Sequence, residues 1–182
     1  GKATGEALYA DDLRLPGLLF GSALRSAWPR ARILSIDTSR AQNTPGVVCV
    51  LTAADIPGKR RIGHLKKDYD VMIPVGGITR FLGDAVALVA AETREALDEA
   101  KRRIRVEYEV LEPVLSLEEA MREGAPLVHE DTPGNLLSEV RISRGSADAR
   151  IASSAHVVTR RYSTPRTEHA FLEPETALAA PA

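Results

Sequence analysis

The chain has 182 residues, of which 44% are hydrophobic and only 4% aromatic, and its formal net charge is −1. This length allows one or two domains with a core of Ala, Val, Ile and Leu. The near-neutral charge gives no signal for binding nucleic acid or an anionic membrane, and no apolar stretch is long enough to span a bilayer. We therefore expect neither nucleic acid nor a membrane as a partner.

The amino-terminal part predicts two strands, Leu18–Arg25 and Ala31–Asp37, and a short helix over Thr38–Gln42. The apolar run Val47–Leu51 predicts a third strand, which we expect to be central in its sheet. It contains the single cysteine, Cys49, for which we expect a buried, inert thiol. One cysteine excludes an internal disulfide and favours a reduced, cytoplasmic setting.

The segment Lys59–Gly77 has no periodicity and is rich in Lys, Arg and Gly, which indicates a long surface loop. Charge runs in loops are usually solvated, and an acidic partner is the alternative interpretation. The glycines Gly76, Gly77 and Gly83 match no phosphate-binding motif and are typical of turns.

The segment Arg80–Val110 predicts strand, helix and strand. Ala85–Ala91 is continuously apolar, as in a strand that is buried on both faces. The helix has Ala96, Leu97, Ala100 and Ile104 on one face, with an expected ion pair between Asp98 and Arg102. If the two strands are neighbours, the crossover helix makes them parallel, so we predict the α+β class with a mixed sheet.

Beyond Pro113 the pattern changes. A capping box at Ser116–Glu119 opens a short helix, and Gly124–Gly134 resembles a linker. Strands are predicted at Leu136–Ile142 and Ala155–Tyr162, a weak helix at Ser146–Ser153 and an extended segment at Glu168–Ala179. These features predict three parts: a domain over residues 1–112, a linker with a short helix over 113–134, and the start of a second domain over 135–182.

Candidate catalytic residues are few. Glu168, His169, Glu173 and Glu175 form one cluster that could do acid–base work or hold a metal, although a structural role is favoured. His64, His129 and His156 are widely spread and lack ligand spacing. We therefore predict no catalytic or metal-binding residue and name no cofactor-binding residue in this chain.

Several short segments, taken together, carry a family resemblance. They are Gly5–Asp12, Leu18–Ser26, Ala31–Asp37, Pro45–Pro57, the stretch from Gly83 to Glu109, and Glu168–Pro174. In this order and spacing they resemble the amino-terminal part of the molybdenum-binding subunit of the xanthine dehydrogenase and aldehyde oxidase family. Thr167 and Asp84 depart from the family's usual Gln at the matching positions. Asp84, together with the preceding segment Met72–Gly76, resembles the selenium-dependent purine hydroxylase branch of the family.

The resemblance implies an α/β hammerhead domain followed by the truncated start of a molybdopterin-binding domain. It also implies a role in hydroxylating a purine or aldehyde carbon with water at a molybdenum centre, with electrons passed to iron–sulfur clusters and FAD on partner subunits or domains. Because the chain begins without Met and stops within the apolar run Ala177–Ala182, we expect a fragment. The resemblance implies that this fragment is inactive alone, since the family's catalytic glutamate and most pterin contacts lie beyond Ala182. Its partners would be the remainder of the molybdenum subunit and the iron–sulfur and FAD parts.

Two alternatives stay open at this point. The chain could be the same fragment of an aldehyde or carbon monoxide dehydrogenase, since a shared fold does not choose the substrate. It could also be a non-catalytic, stand-alone interaction domain that binds partners through Lys59–Gly77.

Overall fold

The computed structural model describes residues 1–64, 66–173 and 175–180. The chain divides into two compact units. The larger unit is Pro16–Leu137, and the smaller unit combines Gly1–Leu15 with Ser138–Ala182. All residues of the two hydrophobic core clusters belong to the larger unit.

The elements follow one another in an order close to the one predicted from the sequence. The strands are β1 (Phe20–Arg25), β2 (Ala31–Asp37), β3 (Val47–Thr52), β4 (Arg61–Ile62), β5 (Tyr69–Asp70), β6 (Ala85–Ala91) and β7 (Arg105–Val110). The α-helices are α1 (Ser39–Gln42), α2 (Arg94–Arg103), α3 (Leu117–Ala120) and α4 (Ala147–Ala152). Single 3₁₀ turns cover Lys2–Thr4, Ala10–Asp12, Ala53–Asp55 and Pro133–Asn135.

The main sheet has the strand order β1-β6-β3, with both pairs antiparallel. Val89 of β6 is opposite Ser22 of β1 and Val50 of β3. The prediction that Val47–Leu51 is central was therefore wrong, because β3 forms an edge and β6 holds the centre. The difference is visible in burial: Val86, Ala87, Val89 and Ala91 are fully buried, whereas Val48 is 55% exposed.

Strands β6 and β7 are not neighbours in one sheet, so the condition for their expected parallel pairing is not met. After α2 the chain enters a second sheet, in which β7 pairs antiparallel with β2. Every strand pair within the described part of the chain is antiparallel, so the sheets are not mixed. Both edges of β6 are already paired with β1 and β3, which leaves β7 no place beside it. The α+β class itself is confirmed.

Helix α2 forms as predicted and closes the core over the main sheet. Thr93 caps it, because its hydroxyl accepts a hydrogen bond from the N–H of Ala96 at 3.1 Å. Leu97 and Ala100 are buried on the face that packs against β6. On the outer face Lys101 pairs with Asp98 and Arg102 pairs with Glu99, in place of the expected Asp98–Arg102 pair.

The predicted surface loop Lys59–Gly77 is more ordered than expected. It contains the hairpin β4–β5, and it buries Met72 and Ile73. The N–H of Ile73 donates to the carbonyl of Ala85 at 2.8 Å, which fastens the loop to the start of β6. Leu65, within this loop, lies outside the described residues.

In the carboxyl-terminal part the two predicted helices are confirmed and the two predicted strands are not. Ser116 and Glu119 form the expected capping box of α3, and α4 lies within the predicted helical segment. Residues 136–142 and 155–162 are not strands, although their apolar residues alternate. An alternating segment becomes a strand only when a neighbour supplies hydrogen bonds, and neither segment pairs with another strand.

Among the described residues, no helix combines the length and the hydropathy needed to cross a membrane.

Cys49 is a free cysteine and is only partly buried, which corrects the expectation of a buried thiol. Cys49 lies on β3, which is an edge strand of the main sheet.

Candidate functional site

The cluster Glu168, His169, Glu173 and Glu175 lies in the smaller unit, and all four residues are exposed. The Oε1 atom of Glu168 accepts hydrogen bonds from the N–H groups of His169 at 2.9 Å and Ala170 at 3.4 Å. Ala170 has a φ of +49°, in the left-handed region. The structural interpretation of the cluster stays a prediction.

The ring of His169 stacks on the ring of Phe171, with 5.5 Å between the ring centroids and 22° between the planes. Ala170, with its positive φ, lies between these two residues. Pro174, the last residue of the predicted motif Glu168–Pro174, lies outside the described residues.

Glu173 and Glu175 line a groove of about 490 Å³ that also includes residues from the amino-terminal end. We call it the end groove; its other lining residues are Lys2, Tyr9, Phe171, Leu172 and Thr176. Glu168 and His169 do not line it, so the predicted cluster is divided between a turn and a groove. The 3₁₀ turn at Ala10–Asp12 positions Tyr9, because the N–H of Tyr9 donates to Oδ2 of Asp12 at 2.9 Å.

The end groove joins two motifs that are far apart in sequence, Gly5–Asp12 and Glu168–Pro174. No local pattern in the sequence connects Lys2 or Tyr9 with the acidic cluster. The signal that could have done so is the resemblance, which includes both motifs, with Tyr9 and Glu173 among their residues.

The end groove is lined by a mixture of charged and apolar side chains. Its charged groups are one ammonium and two carboxylates, beside the apolar side chains of Phe171 and Leu172. Among the described residues, no three His, Cys, Asp or Glu side chains lie close enough together to hold a metal ion.

A second polar feature lies in the larger unit, at the turn Arg80–Asp84. Asp84 is 4% exposed, and its Oδ2 accepts hydrogen bonds from the N–H groups of Arg80 at 2.6 Å and Phe81 at 3.4 Å. Burial raises the pKa of the Asp84 carboxyl above its usual value of 3.8, against the opposing effect of these hydrogen bonds. The predicted turn at Gly83–Asp84 is confirmed, and Gly83 has a φ of +100°.

The basic loop Lys59–Gly77 uses part of its charge internally. Arg61 pairs with Asp70 at 3.2 Å, Lys67 donates to the carbonyl of Gly63 at 2.6 Å, and Lys66 donates to Oγ1 of Thr132 at 3.3 Å. Lys59, Arg60, Arg61 and Lys67 are nevertheless exposed, so the loop also presents positive charge to the solvent. An acidic partner for this loop therefore stays a prediction.

Two family models match consecutive parts of the chain. Residues 4–112 match the a/b hammerhead domain of aldehyde oxidase and xanthine dehydrogenase. Residues 128–182 match the molybdopterin cofactor-binding domain. The first match covers more than half of the chain.

The curated relatives are parts of larger enzymes. The chain is 41% identical, over 181 residues, to a probable xanthine dehydrogenase subunit of Bacillus subtilis, and it covers 24% of that protein. It is 39% identical, over 174 residues, to the nicotinate dehydrogenase large molybdopterin subunit of Eubacterium barkeri, of which it covers 40%. The chain therefore spans less than half the length of these relatives.

A solved structure agrees with them. The crystal structure of quinoline 2-oxidoreductase from Pseudomonas putida 86 superposes with a TM-score of 0.75 at 35% sequence identity. The match covers 86% of this chain and 21% of that one.

Proposed function

The chain belongs to the aldehyde oxidase and xanthine dehydrogenase family, and from this premise we propose that it forms the amino-terminal scaffold of a molybdenum-binding subunit. The complete enzyme hydroxylates a carbon of a purine, a related nitrogen heterocycle or an aldehyde. Molybdenum–molybdopterin is its cofactor, and electrons leave to iron–sulfur clusters and FAD on partner subunits or domains. The cytoplasm is the proposed location, because the chain has a single cysteine.

The observation that carries this proposal is the exposure of the smaller unit. Each described residue from Ser138 to Ala180 is exposed, including Val140 at 82%, Ile142 at 90% and Tyr162 at 87%. Apolar side chains at such exposure need a covering surface. The remainder of a longer subunit supplies it in this proposal, in agreement with the small share of each relative that the chain covers.

The proposed domain limits follow the sequence: the hammerhead domain over residues 1–112, a linker over 113–134, and the start of the molybdopterin-binding domain over 135–182. The first family match ends at residue 112, which supports the proposed end of the hammerhead domain, whereas the second begins at residue 128, within the proposed linker.

The end groove is the place to test whether this chain could hold the cofactor by itself. Its two carboxylates, Glu173 and Glu175, face one ammonium, that of Lys2. A net negative groove repels a cofactor that carries phosphate. The residues present do not fit the cofactor, so we assign no catalytic step to this chain and give it a scaffold role.

Turnover by the complete enzyme tests the proposal. The purified complex is assayed with hypoxanthine, xanthine, nicotinate and an aldehyde, using an artificial electron acceptor. We expect at least one of the four to be hydroxylated, with the oxygen derived from water. The control is the same complex from cells grown with tungstate in place of molybdate, which should be inactive. A molybdenum-loaded complex that oxidises none of the four substrates would contradict the proposed activity.

A further inference from the structure

Residues 126–135, which we call the strap, form a hydrogen-bonded segment where the sequence predicts a linker without periodicity. The side chain of Asn135 holds the strap together. Its Oδ1 accepts a hydrogen bond from the N–H of Val128 at 2.8 Å, and its Nδ2 donates to the carbonyls of Pro126 at 3.0 Å and Ala120 at 2.9 Å. One amide side chain thus closes the segment into a loop and ties it to the end of α3.

Arg80 fastens the strap to the rest of the larger unit. Its Nε donates to the carbonyl of Val128 at 3.1 Å, while its Nη1 pairs with Oδ2 of Asp70 at the end of the β4–β5 hairpin. The side chains of Arg80 and Asp70 are only 17% and 10% exposed. Because both side chains are largely shielded from water, the attraction between them is screened less than in an exposed pair, and loss of one partner is costly.

The neighbouring contacts support the same arrangement. Asp84 fixes the backbone from which Arg80 projects, because it accepts the N–H of Arg80 at 2.6 Å. Lys66 adds a second connection between the loop and the strap through Oγ1 of Thr132, which is 5% exposed. The strap is therefore held at Val128 and at Thr132.

We propose that Arg80 is a positioning residue that fastens the strap to the β4–β5 hairpin and to the turn Arg80–Asp84. Through this contact the larger unit extends to Leu137 instead of ending near residue 112. Residues 128–135 of the strap lie at the start of the molybdopterin-binding match. On the proposed function, Arg80 then holds the start of the cofactor-binding region on the hammerhead domain.

Hydrogen–deuterium exchange of the chain tests the proposal, with Arg80→Gln compared against Arg61→Gln. The two arginines share the partner Asp70, but Nε of Arg80 also reaches the strap. We expect Arg80→Gln to accelerate exchange at the N–H groups of Val128, Thr132 and Asn135 at least about tenfold, the effect of losing one charge-assisted hydrogen bond. Exchange in β6 should not change, and Arg61→Gln should leave the strap as in the parent chain.

Two results would overturn the proposal: unchanged strap exchange in Arg80→Gln, or equal acceleration in Arg61→Gln. If Arg80→Gln does not fold, Arg80→Lys provides the decision. Lysine keeps the charge beside Asp70 but cannot hold both Asp70 and Val128 with the fork geometry of arginine. Its strap should exchange faster than that of the parent chain, with β6 unchanged, and parental strap exchange would contradict the proposal. The exchange is measured without cofactor, so a failure of the proposed activity would not affect the exchange result. Likewise, a failure of the exchange prediction would not affect the proposed activity.

Discussion

The buried carboxylate of Asp84 gives the most informative prediction about stability. Asp84→Ala removes the acceptor for the N–H groups of Arg80 and Phe81. A buried donor without a partner costs about 1–3 kcal/mol, so we expect unfolding at a temperature lower by about 2–12 °C. Asp84→Asn keeps an acceptor of the same shape and removes the charge, and it should cost less than Asp84→Ala.

The pH dependence carries the sharper test. Burial makes the pKa of Asp84 higher in the folded chain than in the unfolded chain. A carboxyl of this kind contributes its stability below the unfolded pKa and loses it as the pH rises through the folded pKa. Asparagine does not titrate, so the free energy of unfolding of Asp84→Asn, relative to the parent chain, should increase from about pH 4 to about pH 7.

Asp55 provides a control with the opposite sign. Its Oδ2 accepts hydrogen bonds from the N–H of Thr52 at 2.7 Å and from the hydroxyl of Thr52 at 3.0 Å, and these bonds lower the pKa of Asp55. Its contribution is present above the unfolded pKa and disappears as the pH falls through the folded pKa. Asp55→Asn should therefore lose stability relative to the parent chain as the pH rises.

Urea unfolding followed by circular dichroism at several pH values measures both variants. Opposite slopes of the difference in unfolding free energy against pH are expected for Asp84→Asn and Asp55→Asn. If Asp84→Asn shows the same sign as Asp55→Asn, the carboxylate of Asp84 is stabilised in the fold, and our interpretation of its burial is refuted.

Two further substitutions test the packing of the larger unit. Val89→Ala, in the fully buried centre of β6, should lower the free energy of unfolding, measured in urea, by roughly 2–3 kcal/mol. Leu88→Ala on the same strand, where the residue is 39% exposed, should lower it clearly less. Equal losses in the two variants would contradict the assignment of the core. Gly77→Ala places a methyl group 2.9 Å from both Cγ2 of Ile73 and the carbonyl oxygen of Pro74 and should cost about 1–3 kcal/mol, while Gly58→Ala meets nothing within 4 Å and should be nearly neutral in the same assay.

Apart from the β4–β5 hairpin, the sequence predicted the strands and helices of residues 18–110, because each of them carries its own local signal. The continuous apolar run of β6, the capped and amphipathic α2 and the alternation of β7 are visible without tertiary information. The order of the strands in the sheet was harder to predict from the sequence. The apolar runs of β3 and β6 resemble each other in sequence, and only the pairing on both edges of β6 distinguishes the central strand from the edge strand.

Prediction was weaker where contacts between distant residues decide the structure. The strap has no periodicity, and its order depends on hydrogen bonds from Asn135 and Arg80 that no local pattern indicates. Residues 136–142 and 155–162 have the opposite problem, since their alternation predicts strands but no neighbouring strand pairs with them. In the candidate site, the sequence identified Glu173 and Glu175 but not their association with Lys2 and Tyr9 in the end groove.

Molybdenum and pterin content tests the central claim most directly. The polypeptide encoded by the complete reading frame is purified beside the chain of residues 1–182, and the metal and the oxidised pterin are quantified in both. The account predicts about one molybdenum and one pterin per complete polypeptide, and none above background in the 182-residue chain. A complete polypeptide that carries neither, when isolated from cells that load other molybdenum enzymes, would contradict the claim that this chain is the scaffold of a molybdenum-binding subunit.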